Sequence, residues 1–174
     1  MLSIYLNYFH SENQLERIYN FSLTDIEGNN FKLDKLQNKV ILIVNSACEC
    51  GHASQLGDLQ KMYNKFRRKG LEIVLLPSDE FNQELETNRE INEFLKTEYK
   101  VEFPIMSKIS LSGKEANPLI TYLISELPHP KDAKNNKIKW NFEKFLINRS
   151  GKLVKRYASY EKLNEVVKDI EDLL

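Results

Sequence analysis

A chain of 174 residues is long enough for one domain with a sizeable core and short for two. Its 25 basic and 25 acidic residues cancel, so charge implies neither a nucleic acid nor an anionic membrane surface, and a small neutral substrate or another protein fits better. Two cysteines spaced C-x-C do not make a secreted disulfide framework, and no apolar run approaches the roughly 18–20 residues of a membrane span, so a reducing, cytoplasmic setting is the default expectation.

Residues 1–17 show no convincing period and read as an N-terminal arm, with a single domain over 18–174. Met1 to Phe9 lacks the charged start and cleavage site of a secretory signal, and an organellar location is the alternative if the arm is the stub of a leader. Ile18 to Thr24 alternates like a strand, Asp25 to Asn30 is a turn sequence, and Phe31 to Leu33 returns as a second strand, giving a hairpin. Val40 to Val44 is an apolar, β-branched run suited to a strand buried on both faces. Leu56, Leu59, Met62, Tyr63 and Phe66 then recur at helical spacing, and Gly70 ends that helix. Leu71 to Leu76 is a second buried strand, which makes a parallel strand–helix–strand unit with a right-handed crossover.

Asn88 is the expected N-cap of a helix through Tyr99, and Phe103 to Met106 enters a loop. Pro118 suits the first turn of a helix to about Leu127, and Pro128-His129-Pro130 stops it. Ile138 to Asn148 and Lys152 to Ala158 read as two strands of a hairpin, followed by a helix from about Tyr160 to Leu174. This order predicts an α/β, thioredoxin-like fold. Its central mixed sheet of four main strands is flanked by helices, with an N-terminal β-hairpin and a helical insertion over 78–117.

Both cysteines fall in the turn between the first buried strand and its helix, next to Gly51 and His52. Only a thiolate is a good nucleophile, and at a helix N-terminus the thiol pKa can drop from about 8.5 to roughly 3.5–7.5. Cys50 is therefore the candidate reactive thiol, against the plainer reading of a small buried hydrophobe. Cys48 is a possible resolving thiol, able to condense with a sulfenic acid on Cys50, although a ring across one residue is strained. A lone C-x-C is a weak zinc signal, and no metal or bound cofactor is expected. Composition alone reads Trp140 as a core aromatic and Asn141 as a turn amide, yet an indole N–H and a carboxamide can donate to an anionic sulfur or a peroxide oxygen. Glu80 and His52 are weaker candidates. A carboxylate beside the thiol opposes its ionisation, whereas a protonated one could donate.

The segments VNSACECG, PSDEF–QE, EINEF, FPIM and WNFEKFLINRSGKLVKRYA, in that order and spacing, resemble a glutathione peroxidase from about Ile18 to Leu174. The resemblance implies a peroxidatic residue at Cys50, with a tetrad completed at Glu80, Trp140 and Asn141. It also implies reduction of hydrogen peroxide or lipid hydroperoxides, an antioxidant role, through a Cys50 sulfenic acid that glutathione or a thioredoxin-type protein restores. The short segment 112–138 resembles the monomeric, phospholipid-hydroperoxide type. Departures are Glu80 in place of the family's Gln, Ser78 and Asp79 in place of Cys and Asn, Gln83-Glu84-Leu85-Glu86 without Pro-Gly, and no resolving cysteine near Leu95. A redox sensor or a C-x-C thiol–disulfide oxidoreductase with weak peroxide turnover is the competing reading.

Overall fold

The structure is a computed structural model and describes residues 17–174. The expected N-terminal arm lies outside the described residues apart from Arg17, which opens a 3-10 turn, Arg17–Asn20. That turn buries Ile18 and Tyr19 side by side, which an alternating strand cannot do, so the first strand is only β1, Ser22–Thr24. It pairs antiparallel with β2, Asn30–Lys32, placing buried Leu23 opposite buried Phe31.

The centre is β3, Val40–Ser46, buried along its whole length. It runs parallel to β4, Leu71–Pro77, and antiparallel to β5, Lys144–Ile147, which pairs with β6, Leu153–Tyr157, in the order β4-β3-β5-β6. Between β3 and β4 lies α1, Gln55–Phe66, continued by a 3-10 turn to Lys69 and ended at Gly70 (φ 109°). A Cβ at Gly70 would stand 2.6 Å from the Arg149 guanidinium, which donates to the carbonyls of Asn38, Lys69 and Leu174. Glycine there meets both the left-handed turn and the close approach.

The remaining helices are α2, Asn88–Glu98; α3, Pro118–Glu126; and α4, Leu163–Leu173. The cap of α2 is Thr87, not Asn88. Thr87 and Glu90 form a reciprocal capping box, while the Asn88 side chain accepts from Lys108 N instead. The last helix starts at Leu163 rather than Tyr160, because the chain first turns where Glu161 accepts the Ala158 N–H.

Alternation on β3 divides the core. Val40, Leu42 and Val44 pack with Leu56, Leu59 and Met62 of α1 and Val166 and Ile170 of α4, while Ile41 and Ile43 pack with Leu119, Ile120 and Leu123 of α3 and with the hairpin. Each such side chain contributes about 1.5–3 kcal/mol when fully buried. Both cysteines belong to the α1/α4 side.

The long strand expected over Ile138 to Asn148 is cut to β5 because residues 127–139 are tied down by a buried ion pair. The Arg156 guanidinium donates to Glu143 Oε2 at 2.8 and 2.7 Å and to the carbonyls of Leu127, Asn136 and Lys137. Glu143 Oε1 accepts Lys139 N at 2.6 Å and lies 3.5 Å from His129 Nε2. Arg156→Ala leaves Glu143, which has no solvent exposure, without its cation. The expected loss is about 3–5 kcal/mol, read as a lower urea midpoint with unchanged slope, and a loss under about 1 kcal/mol would contradict this account of the loop.

Candidate active site

After β3 the chain passes through successive turns over Ala47–Ser54 before α1 begins. Cys50 N donates to Ala47 O, Ala53 N to Cys50 O, and Gln55 N to His52 O. Within them the His52 backbone N–H donates to Cys50 Sγ at 3.4 Å. It is thus the backbone of His52, not its imidazole, that donates to the sulfur. Both cysteines are free, and Cys50 is 5% exposed.

Cys48 faces another group. Its backbone N–H donates at 3.0 Å to Oε1 of Glu84, which also accepts from Leu85 N at 2.8 Å. Burial raises the Glu84 pKa, and burial first, then the Glu84 carboxyl, pushes the Cys48 thiol well above its ordinary range. Cys48 is accordingly kept as a thiol, fastened to a side chain 36 positions further along the chain.

The loop after β4 closes over the turn. Glu49 N, beside Cys50, donates to Gln83 O at 2.9 Å, and Gln83 Oε1 accepts from Asn141 Nδ2 at 3.1 Å. Asn141 is fully buried, held between two anchors on β3: Asn45 Nδ2 donates to Trp140 O at 3.2 Å and Phe142 N to Asn45 O at 2.7 Å. Trp140 is 39% exposed, tilted against Phe81 with ring centroids 5.0 Å apart, so it is no core aromatic. It sits in the irregular stretch before β5, outside any strand.

Glu80 does not join this group. It is exposed, its carboxylate accepts from Ser112 Oγ, and it lines a shallow surface hollow with Ser78, Asp79, Lys108 and Ser110. The side chain from this loop that reaches Asn141 is Gln83, which the residue-by-residue reading missed. Chemistry could have flagged it, since an ionised carboxylate only accepts hydrogen bonds whereas an amide also donates.

A family model described as glutathione peroxidase matches residues 18–124. The chain is 40% identical over 161 residues to glutathione peroxidase-like peroxiredoxin 1 of Saccharomyces cerevisiae, covering 92% of this chain and 95% of that one. The chain belongs to the glutathione peroxidase family. It is also 40% identical over 161 residues to hydroperoxy fatty acid reductase gpx1 of Synechocystis sp., covering 90% of this chain and 95% of that protein. A thiol:disulfide interchange protein of the thioredoxin family from Chlorobium tepidum superposes with a TM-score of 0.67 at 17% identity, covering 88% of this chain and 92% of that one, a likeness of fold alone.

This glutathione peroxidase is thus a thiol-dependent peroxidase on a thioredoxin-like scaffold, as the sequence led one to expect. No helix among the described residues is long and apolar enough to cross a membrane. The turn bearing Cys50 and the loop bearing Gln83 lie beyond the carboxyl ends of the parallel pair β3 and β4, where open α/β sheets place their ligands.

Proposed function

We propose that this peroxidase reduces hydrogen peroxide and organic hydroperoxides, lipid hydroperoxides among them, at Cys50. The Cys50 thiolate attacks the terminal oxygen of the O–O bond. That bond breaks, sulfur keeps the OH as a sulfenic acid, and the leaving alkoxide takes a proton to become an alcohol, or water when the substrate is hydrogen peroxide. One thiol then condenses with the sulfenic acid, releasing water and forming a mixed disulfide. A second thiol attacks that disulfide, returning Cys50 to the thiol and leaving the reductant oxidised.

The observation that carries this reading is the hydrogen-bonded chain from the thiol's own turn to two carboxamides, Glu49 N to Gln83 O and Gln83 Oε1 to Asn141 Nδ2, with the His52 N–H on the sulfur. Gln83 and Asn141 are the amides that steady the reacting oxygens, and Trp140 with Phe81 forms an aromatic rim beside them. The reductant is external, glutathione or a thioredoxin-type protein. Support for this comes from Cys48, whose thiol is held protonated against Glu84, and from Leu95 standing on α2 where a resolving cysteine would be needed. The enzyme acts as a monomer.

The test is to mix reduced protein with one equivalent of peroxide, trap the product with a sulfenic-acid reagent, and compare glutathione with thioredoxin as donor in the steady state. Rapid peroxide consumption with the trap on Cys50 is expected. No consumption would end the proposal, and an internal Cys48–Cys50 disulfide, seen as a loss of two hydrogens in mass, would show that Cys48 rather than the external thiol condenses with the sulfenic acid.

A further inference from the structure

The turn that carries both cysteines and the loop that carries Gln83 meet through two consecutive pairs of residues. Cys48 N donates to Glu84 Oε1 at 3.0 Å, and Glu49 N donates to Gln83 O at 2.9 Å. Further back, where β3 and β4 end, Ser78 N donates to Ser46 O. From there the loop departs, folds over Asp79 and returns. Asn82 N donates to Asp79 O and Glu84 N to Asp79 Oδ1, and Asn82 takes a left-handed backbone (φ 55°), which asparagine tolerates in turns. Among the described residues, Glu84 is the loop side chain that hydrogen-bonds to the thiol turn. It is 7% exposed, and its Oε1 also accepts Leu85 N at 2.8 Å, so one oxygen bridges the turn and the loop's own backbone. Beyond it the loop is closed by Lys108 Nζ, which donates to the carbonyls of Leu85 and Glu86 at 3.1 and 2.7 Å.

We propose that Glu84 is a positioning residue for the peroxidase reaction: by bridging Cys48 N and Leu85 N it holds the adjacent Gln83 in register with the thiol turn, so that the Gln83 carboxamide stays aimed beside Asn141. This rests on the reading of Gln83 and Asn141 as the amides that steady the reacting oxygens. The physical reason is directional. One backbone hydrogen bond between two loops fixes a point about which either can pivot, whereas bonds on two consecutive residues also fix the direction of the chain, and with it the aim of the side chain between them. A buried carboxyl is costly unless its hydrogen bonds are made, so Glu84 keeps both amides in place as much as they keep it. Burial raises its pKa, against the lowering effects of Cys48, Leu85 and the Lys108 charge. The bridge does not need the charge, because a carboxyl oxygen accepts hydrogen bonds in either protonation state.

The test has one arm without peroxide and one with it. Amide hydrogen exchange, read residue by residue, compares the parent with Glu84→Ala. That change deletes the acceptor of Cys48 N directly, but Glu49 N is bonded to Gln83 O and not to Glu84. Exchange at Glu49 is nevertheless expected to quicken about tenfold or more, because Gln83 is no longer held. The second-order rate with peroxide is expected to fall about 10–10²-fold in Glu84→Ala, the cost of misplacing a group that must be aimed. Glu84→Gln, of the same length and still an acceptor, is expected to recover most of that loss. In Gln83→Ala protein the further change Glu84→Ala is expected to cost less than about twofold, since no carboxamide is left to aim. Parental exchange at Glu49 in Glu84→Ala would overturn the proposal, and this arm needs no peroxide, so its failure is distinct from failure of the peroxidase reading. Fully additive losses from Glu84→Ala and Gln83→Ala would overturn it too. Were Glu84→Ala not to fold, Glu84→Asp, one methylene shorter than the bridge requires, takes its place with the same expected and overturning results.

Discussion

Cys50→Ser is expected to lose peroxide consumption by at least about 10⁴-fold, the order seen when a covalent nucleophile is removed. A serine hydroxyl is essentially un-ionised at neutral pH. Cys48→Ser is expected to leave the rate near the parental value. Its backbone N–H keeps the bond to Glu84 Oε1, and a hydroxyl can sit against the same carboxyl that now holds the thiol protonated. Stopped-flow measurement of the two variants separates the sulfurs. Equal rates for parent and Cys50→Ser would remove the proposed nucleophile, and a collapse of steady-state turnover in Cys48→Ser, with its single-turnover peroxide step intact, would return it to the resolving role that its spacing suggested.

Gln83→Ala is expected to reduce the second-order rate with peroxide by about 10²–10³, the usual cost of deleting one preorganised hydrogen-bond donor beside developing charge. The same change leaves Asn141, which is fully buried, without the acceptor for its Nδ2. Part of the loss should therefore come from disorder of that side chain, and Gln83→Glu, which restores an acceptor but not a donor, should recover little rate. Glu80→Gln provides the contrast. Glu80 is exposed and bound to Ser112, so giving it the amide that the resemblance led one to want there should change the rate hardly at all. The reverse pattern, a large gain at position 80 and a small loss at 83, would show that the loop adopts another arrangement when the enzyme works.

Arg156, Glu143 and Lys144 give the site a support that periodicity does not advertise. On one face of the sheet the Arg156–Glu143 pair holds the loop that leads to Trp140; on the other, Lys144 holds the turn that follows Asn141. Two buried cations on successive strands thus clamp the same short segment from both sides. Buried charge costs several kcal/mol in desolvation, and keeping it here is intelligible if an unstrained, apolar version of this segment would aim Asn141 elsewhere.

The sequence by itself determined the scaffold and the place of the thiol. A continuous apolar run, a helical stripe closed by Gly70 and a second apolar run make a parallel strand–helix–strand unit, and Cys50 lay in the turn between its first strand and its helix. These signals are local, since periodicity reports which face of an element is buried and little else. Which side chains meet at the thiol was decided by tertiary structure. Asn82 (φ 55°) and Phe142 (φ 67°) take left-handed backbones that no spacing rule anticipates. In the structure Gln83, just after Asn82, reaches Asn141 while Glu80 stays outside against Ser112, and Trp140, just before the Phe142 turn, is exposed against Phe81. Cys48 likewise found its partner in Glu84 only when two loops from separate strands closed together. Side-chain direction in a loop follows from backbone dihedrals and from contacts between distant parts of the chain, and neither is written in the local pattern of apolar and polar residues.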